Sequence, residues 1–161
     1  MEKNNSKLFT SVLIIFIAVI VLLIIILFYI KPDYIKTSSN EFLVTEVIDG
    51  DTFVIETLEY VRLIGVNAPE KNELFYNESK DFLSLLILNK TVVLEKDLDN
   101  RDNYGRLLRY AYINNISINI ELARKGYALP LFISPNFKHK QEIENATKEC
   151  LKTKINLCAS Q

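Results

Sequence analysis

The chain has 161 residues, room for one domain and an appendage but not for two full domains. Hydrophobic residues make up 49% and charged residues 24%, with only two cysteines, which excludes a disordered, collagen-like or disulfide-dense chain. The formal charge of −1 announces no strongly basic, polyanion-seeking surface.

Residues 1–7 form a short tail carrying Lys3 and Lys7. Residues 8–30 hold no charge, and only Thr10, Ser11 and Tyr29 carry hydroxyls. A helix of that length is about 34 Å long and covers a hydrocarbon core of roughly 30 Å. A cleaved signal peptide is the competing reading. Its apolar region runs about 7–15 residues and ends at a small-x-small site. Here the run is longer and ends in Phe28-Tyr29-Ile30-Lys31-Pro32, so a transmembrane signal anchor over 8–30 is predicted. Positive charge is nearly balanced across it, with Lys31 and Lys36 following. A short basic tail before a first span stays in the cytoplasm. The expectation is therefore a single-pass protein of the cell membrane, with the remainder outside and the lipid bilayer as its partner through 8–30.

Residues 31–41 read as a polar linker and 42–161 as the folded domain, with 17 basic and 19 acidic side chains in 31–161. Strands are predicted at 43–48, 52–55 and 60–64, a meander whose first turn is the hairpin pair Asp49-Gly50. A helix is expected over 77–89, with Phe82, Leu85 and Leu86 on its apolar face. A strand at 91–95 follows, then a polar loop, then a strand at 107–113 ended by Asn114-Asn115. Asn119 is placed as the cap of a short helix stopping at Gly126. A last helix covers about 138–152, with Ile143, Ala146, Cys150 and Leu151 at helical spacing. The fold class is α+β: a five-stranded OB-type β-barrel with about three helices, preceded by one N-terminal transmembrane helix.

Cys150 and Cys158 would lie about 12 Å apart on one straight helix, too far for a disulfide. They meet only if the helix ends near Lys152 and the chain folds back; otherwise they pack separately as two small apolar residues. The single histidine, His139, leaves too few ligands for a zinc site.

Three clusters carry chemistry: Asp49-Gly50-Asp51-Thr52, the run from Arg62 to Glu70 (RLIGVNAPE), and Asp102-Asn103-Tyr104-Gly105-Arg106. Each alone reads as a turn or a surface ion pair. Together, two acids and an amide supply oxygen ligands for a hard cation, and two arginines can fork onto phosphate oxygens. Phosphoryl chemistry uses that set: a metal to neutralise the diester, a carboxylate for water, and guanidinium groups for the charge of the transition state.

In that order, and with Ile118-Asn119-x-Glu121-Leu122-x-Arg124-x-Gly126-x-Ala128 beyond them, the motifs resemble the staphylococcal nuclease (thermonuclease) family over about residues 42–158. The resemblance implies an OB-fold barrel with three helices and calcium-dependent endonuclease cleavage of DNA and RNA, a hydrolase cutting the 5′ P–O bond and leaving 3′-phosphate ends. It implies Ca2+ held by Asp51, by Asn67 and by the backbone carbonyl of Ala68. Glu70 then acts on the attacking water, as base or orienter. Arg62 and Arg106 grip the phosphate and stabilise the transition state.

Asn67 stands where the family's best-known member has a second calcium-binding aspartate, so weaker calcium binding is expected. The loop at 131–135 lacks the tyrosines that the family's best-known member uses near the nucleotide, which leaves Tyr104 and Phe132 as candidate stacking partners for substrate. A Cys150–Cys158 disulfide would replace the tie made by a missing tryptophan. The competing function is a membrane-anchored, non-catalytic OB-fold module that binds nucleic acid. No protein partner is inferred, and a monomer is expected.

Overall fold

The computed structural model of the chain describes residues 15–23 and 40–160, which fall in two units, Met1–Thr37 and Ser38–Gln161. In the first unit residues 15–23 are helical. The rest of the expected span, its preceding tail and the linker as far as residue 39 lie outside the described residues. Among the described residues no helix is long and apolar enough to cross a membrane.

The second unit opens with three antiparallel strands: β1 (Glu41–Val47), β2 (Thr52–Ile55) and β3 (Tyr60–Leu63). β1 is expected to alternate, yet Val44 and Val47, three apart, both face the core. A register shift between Val44 and Glu46 explains this, since the extra residue of a bulge turns the next side chain over. β2 is buried throughout. In β3 the two-residue period sends Val61 and Leu63 inward and Arg62 to the opposite face.

The short β4 (Gly65–Asn67) follows after a kink at Gly65, where φ is +79°. A Cβ there would also lie 2.7 Å from Ile143 Cδ1, so only glycine fits. Next come α1 (Tyr76–Ile87), β5 (Thr91–Glu95), β6 (Leu107–Ile113) and the two-residue β7 (Ile116–Ser117). Asn114 and Asn115, both at positive φ, make the tight turn between β6 and β7. The chain ends in α2 (Ile118–Arg124), β8 (Leu129–Leu131), α3 (Lys140–Thr153) and a 3-10 turn at Asn156–Ala159.

β1 pairs with β2 and β5, β5 with β6, and β3 runs parallel to β6. That last pairing closes β1, β2, β3, β6 and β5 into the expected five-stranded barrel. Phe53, Ile55, Leu63, Tyr110 and Val44 fill it, and Leu83, Ile87, Ile118, Leu122 and Ile143 seat the helices on it. β4 and β8 pair apart from the barrel, and neither they nor β7 was anticipated.

Three expectations change. Leu85 does not face the core; it is 72% exposed, because α1 buries Ser79, Leu83 and Ile87 along an i, i+4 row, with Phe82 and Leu86 beside them. Leu151 of α3 is likewise exposed. Asn119 is not a cap. Ser117 caps α2 by accepting from the Ile120 N–H, while Asn119 is fully buried. Its amide accepts from Ala111 N (3.0 Å) and donates to the Ile64 carbonyl (2.8 Å), tying β6 to the end of β3. An isolated Asn at a helix start favours capping by local propensity. Here burial made the longer-range bonds obligatory.

α3 ends at Lys154 in a left-handed conformation, and the chain folds back so that Cys150 and Cys158 are joined, their Cα atoms 5.9 Å apart. The returning turn reaches the end of α2, where Leu157 N bonds the Gly126 carbonyl (3.0 Å) and Asn156 Nδ2 the Lys125 carbonyl (2.8 Å). At the other end of α3, Glu95 gathers Tyr112 Oη (2.5 Å), His139 Nε2 (2.9 Å) and the Lys138 ammonium. Burial opposes ionisation of Glu95, but the bonds from Lys138, Tyr112 and His139 outweigh it and hold its carboxyl down at about 2.

Two stability measurements follow. Reducing the disulfide in the full-length chain is expected to lower the unfolding free energy by about 2–3 kcal/mol, from the unfolded-state entropy an eight-residue loop removes. Urea titration with and without dithiothreitol measures it, and identical midpoints would refute it. Glu95 stabilises the fold fully at pH above its unfolded pKa of about 4.3, and that contribution fades as pH falls toward 2. Glu95→Gln should therefore be less stable than the native chain at pH 7 and nearly equal to it near pH 2. A gap that does not narrow with acid would show that the charge of Glu95 is not what stabilises.

Candidate active site

Arg62 projects from the outer face of β3 into a cleft of about 580 Å³ at the barrel rim. Asp49, Asp51, Asn67, Glu70, Tyr104 and Arg106 line the same cleft, so the three motif clusters converge. The turn between β1 and β2 delivers Asp51, the kink at Gly65 delivers Asn67 and Glu70, and the turn entering β6 delivers Tyr104 and Arg106. The β3–β6 pairing brings the second and third together, since Arg62 is in register with Leu108.

Both terminal nitrogens of Arg62 are engaged. Nη1 donates to the carbonyls of Leu63 and Val66, the latter at 2.7 Å. Nη2 lies 3.0 Å from both Asp51 Oδ2 and Asn67 Oδ1. Asp51 is only 5% exposed, and its Oδ2 also accepts from Ala68 N at 2.7 Å. Burial pushes the Asp51 carboxyl up, against the opposing pull of Arg62 and the Ala68 N–H. Burial likewise lowers Arg62, against the support of Asp51. A desolvated carboxylate oxygen and an amide oxygen thus converge on one positive nitrogen. These are oxygen donors of the kind a hard cation takes, but both point at Arg62 Nη2, and among the described residues no three His, Cys, Asp or Glu side chains are grouped to hold a metal ion.

Ala68 enters differently from the other residues. It is buried behind the cleft wall and contributes its N–H to Asp51. Glu70 is exposed at the cleft, in a turn where its own N–H bonds Glu73 Oε2 (2.7 Å). Tyr104 is 86% exposed, with the Arg106 guanidinium 5.4 Å from its ring centroid. Phe132 is not at the cleft. It packs on the core, 3.1 Å from where a Gly65 Cβ would be, and Ile133 and Leu131 face the cleft instead. Cys150 and Cys158 lie outside the cleft lining.

Three residues in or beside the motifs have roles that spacing did not reveal. Asp102 clamps Arg106: Oδ2 accepts from Nε (2.7 Å), and Oδ1 from the N–H groups of Tyr104 (2.9 Å) and Arg106 (3.0 Å). The bond to the amide two residues on is an Asx-turn, and an Asp three residues before glycine is the signal that could have revealed it. Arg101 braces the same turn by bonding the Gly105 carbonyl (2.6 Å) and pairing with Glu59. Gly50 is required by crowding rather than by turn geometry. A Cβ there would lie 2.6 Å from both Ala68 Cβ and Ser79 Cβ, where the Asp51 turn, the Ala68 loop and α1 meet.

The family model described as staphylococcal nuclease homologue matches residues 60–160. A thermonuclease of Staphylococcus intermedius is 37% identical over 166 residues, covering 94% of this chain and 97% of that protein. A thermonuclease of Staphylococcus hyicus is 34% identical, covering 75% and 78%. An uncharacterized endonuclease of Haemophilus influenzae is 36% identical over 93 residues, about half of each chain.

Gly50→Ala is expected to destabilise the chain by roughly 1–3 kcal/mol, because the added methyl must force apart two packed neighbours. A thermal melt equal to that of the native chain would refute the close approach.

Proposed function

Since the chain belongs to the staphylococcal nuclease homologue family and is a nuclease, a hydrolase of nucleic acid, we propose that it is a calcium-dependent endonuclease of DNA and RNA that leaves 3′-phosphate ends. The observation that carries this reading is the convergence of Asp51, Asn67, Glu70, Arg62 and Arg106 on one cleft.

Asp51 and Asn67, with the Ala68 carbonyl, would hold Ca2+, which supplies charge neutralisation on the diester and a more acidic attacking water. Five acids against three arginines line the cleft, so its own field does not attract a polyanion, which supports a need for a divalent cation. Glu70, exposed at the cleft, accepts a proton from water or orients it as the water oxygen attacks phosphorus. The bond from phosphorus to the 5′ oxygen then breaks, the 5′ oxygen takes up a proton, and the phosphate stays on the 3′ side. Arg106 is held at Nε by Asp102 and at one proton of Nη1 by Thr52, which leaves Nη2 and the second Nη1 proton for a phosphate whose charge grows in the transition state. Arg62 adds fixed positive charge at the same rim.

The domain of residues 42–161 is proposed to lie outside the cell, tethered by a span at 8–30. The Cys150–Cys158 disulfide supports that side, because such bonds persist in oxidising compartments. The chain is proposed to act as a monomer.

The test is incubation of the full-length protein, in detergent, with plasmid and calcium, followed by chelator. Degradation that the chelator stops is expected. A gel shift without degradation would instead mark a binding module. Arg106→Ala should lower kcat by about 10²–10³ without loss of fold, and Arg62→Ala should lower kcat at least as far while also lowering stability, because it leaves Asp51 buried and unpaired. Near-native turnover in either variant would remove that arginine from the mechanism.

A further inference from the structure

Thr52 opens β2 and is 3% exposed. Its hydroxyl makes no ordinary structural bond to a strand carbonyl. It donates to Asp51 Oδ1 at 3.0 Å and accepts from Arg106 Nη1 at 3.4 Å. The direction of both bonds is fixed by chemistry. A guanidinium can only donate, so the Thr52 oxygen must accept there. A hydroxyl has one proton, so that proton is left for the carboxylate. One buried oxygen therefore connects the acid assigned to the cation with the arginine assigned to the phosphate.

The remaining contacts of those two groups are made by other residues. Asp51 Oδ2 is taken by Ala68 N and Arg62, so the bond to Oδ1 sets the carboxylate's rotation. Arg106 is clamped at Nε by Asp102, so the bond at Nη1 sets the tilt of its plane. The two groups sit on different turns, between β1 and β2 and before β6. Among the described residues Thr52 is the side chain that hydrogen-bonds both.

We propose that Thr52 is a positioning residue for the nuclease reaction, whose hydroxyl holds the Asp51 carboxylate and the Arg106 guanidinium at a set separation and orientation. The proposal rests on the nuclease reading of the cleft. The chemistry demands such a device, since displacing a catalytic group by about 1 Å can cost 10²-fold in rate.

The experiment compares the full-length native protein with Thr52→Val, Thr52→Ser and Arg106→Ala, alone and combined with Thr52→Val. Valine keeps the β-branched shape and removes both hydrogen bonds; serine keeps the hydroxyl. Thr52→Val is expected to lower kcat about 10- to 100-fold with little change in KM, and Thr52→Ser to return it to within about threefold of native. In the Arg106→Ala background Thr52→Val should cost less than it does alone, because its partner is already gone. A readout without metal or turnover is the 15Nε–1H signal of the Arg106 side chain in cation-free protein. It should shift and broaden in Thr52→Val and not in Thr52→Ser.

Native kcat in Thr52→Val, or losses that multiply fully with Arg106→Ala, would overturn the proposal. So would an unmoved Arg106 signal, even if Thr52→Val proved too unstable for kinetics. If the native protein does not degrade plasmid, the nuclease reading fails, and the Arg106 signal still decides whether Thr52 holds that arginine.

Discussion

A guanidinium at the barrel rim organises this molecule. Arg62 sits on the outer face of β3 and binds four acceptors: the backbone carbonyls of Leu63, at the end of its own strand, and of Val66, the Asp51 carboxylate and the Asn67 amide. A half-buried charge of this kind is tolerable only if it is paired and fully hydrogen-bonded. That requirement fixes the path of the chain from Leu63 to Asn67, since the carbonyls of Leu63 and Val66 must both turn toward one nitrogen. The Gly65 kink makes that turn possible, and the β4–β8 pairing holds the far side of it.

The barrel supplies the rigidity behind the arrangement. Its closure by parallel pairing of β3 with β6 places the entrance of β6 against the meander, so Arg106 arrives beside Thr52 rather than across the molecule. Around the site, contacts are short and polar: Asp102 on Arg106, Ala68 N on Asp51, Arg101 on the Gly105 carbonyl. The helices bear on the site at second remove. Asn119 of α2 grips the Ile64 carbonyl just before the kink, and Ser79 of α1 bonds the Tyr127 carbonyl. The disulfide and the Glu95 cluster anchor the two ends of α3, whose Ile143 packs under Gly65.

The charge of the cleft shapes how such a site meets its substrate. A passive nucleic-acid binder relies on a basic face and on counterion release. This chain places acids among its arginines instead, so affinity for a polyanion depends on local, directed groups. Arg62 is already consumed by internal acceptors, whereas Arg106 keeps part of its fork available. The two arginines are therefore unequal, one serving first as an internal counterion and the other poised for solvent.

By itself the sequence determined the barrel strands, the three helices and the family, because each rests on local patterning: two-residue alternation, i, i+4 rows, and motifs whose order survives in one dimension. It also named Asp51, Arg62, Asn67, Glu70, Tyr104 and Arg106, which line the cleft, but not Asp99, Arg101 or Asn136 beside them. It took the folded chain to saturate Arg62, to join Asp51 to Arg106 through Thr52, to make Asn119 bridge strands instead of capping, to leave the cleft to Ile133 rather than Phe132, and to bring Cys150 to Cys158. Each of those depends on groups far apart in the chain, or on burial that turns a weak local preference into an obligatory distant bond. No periodicity or spacing encodes where a hydrogen bond must end once water has been removed.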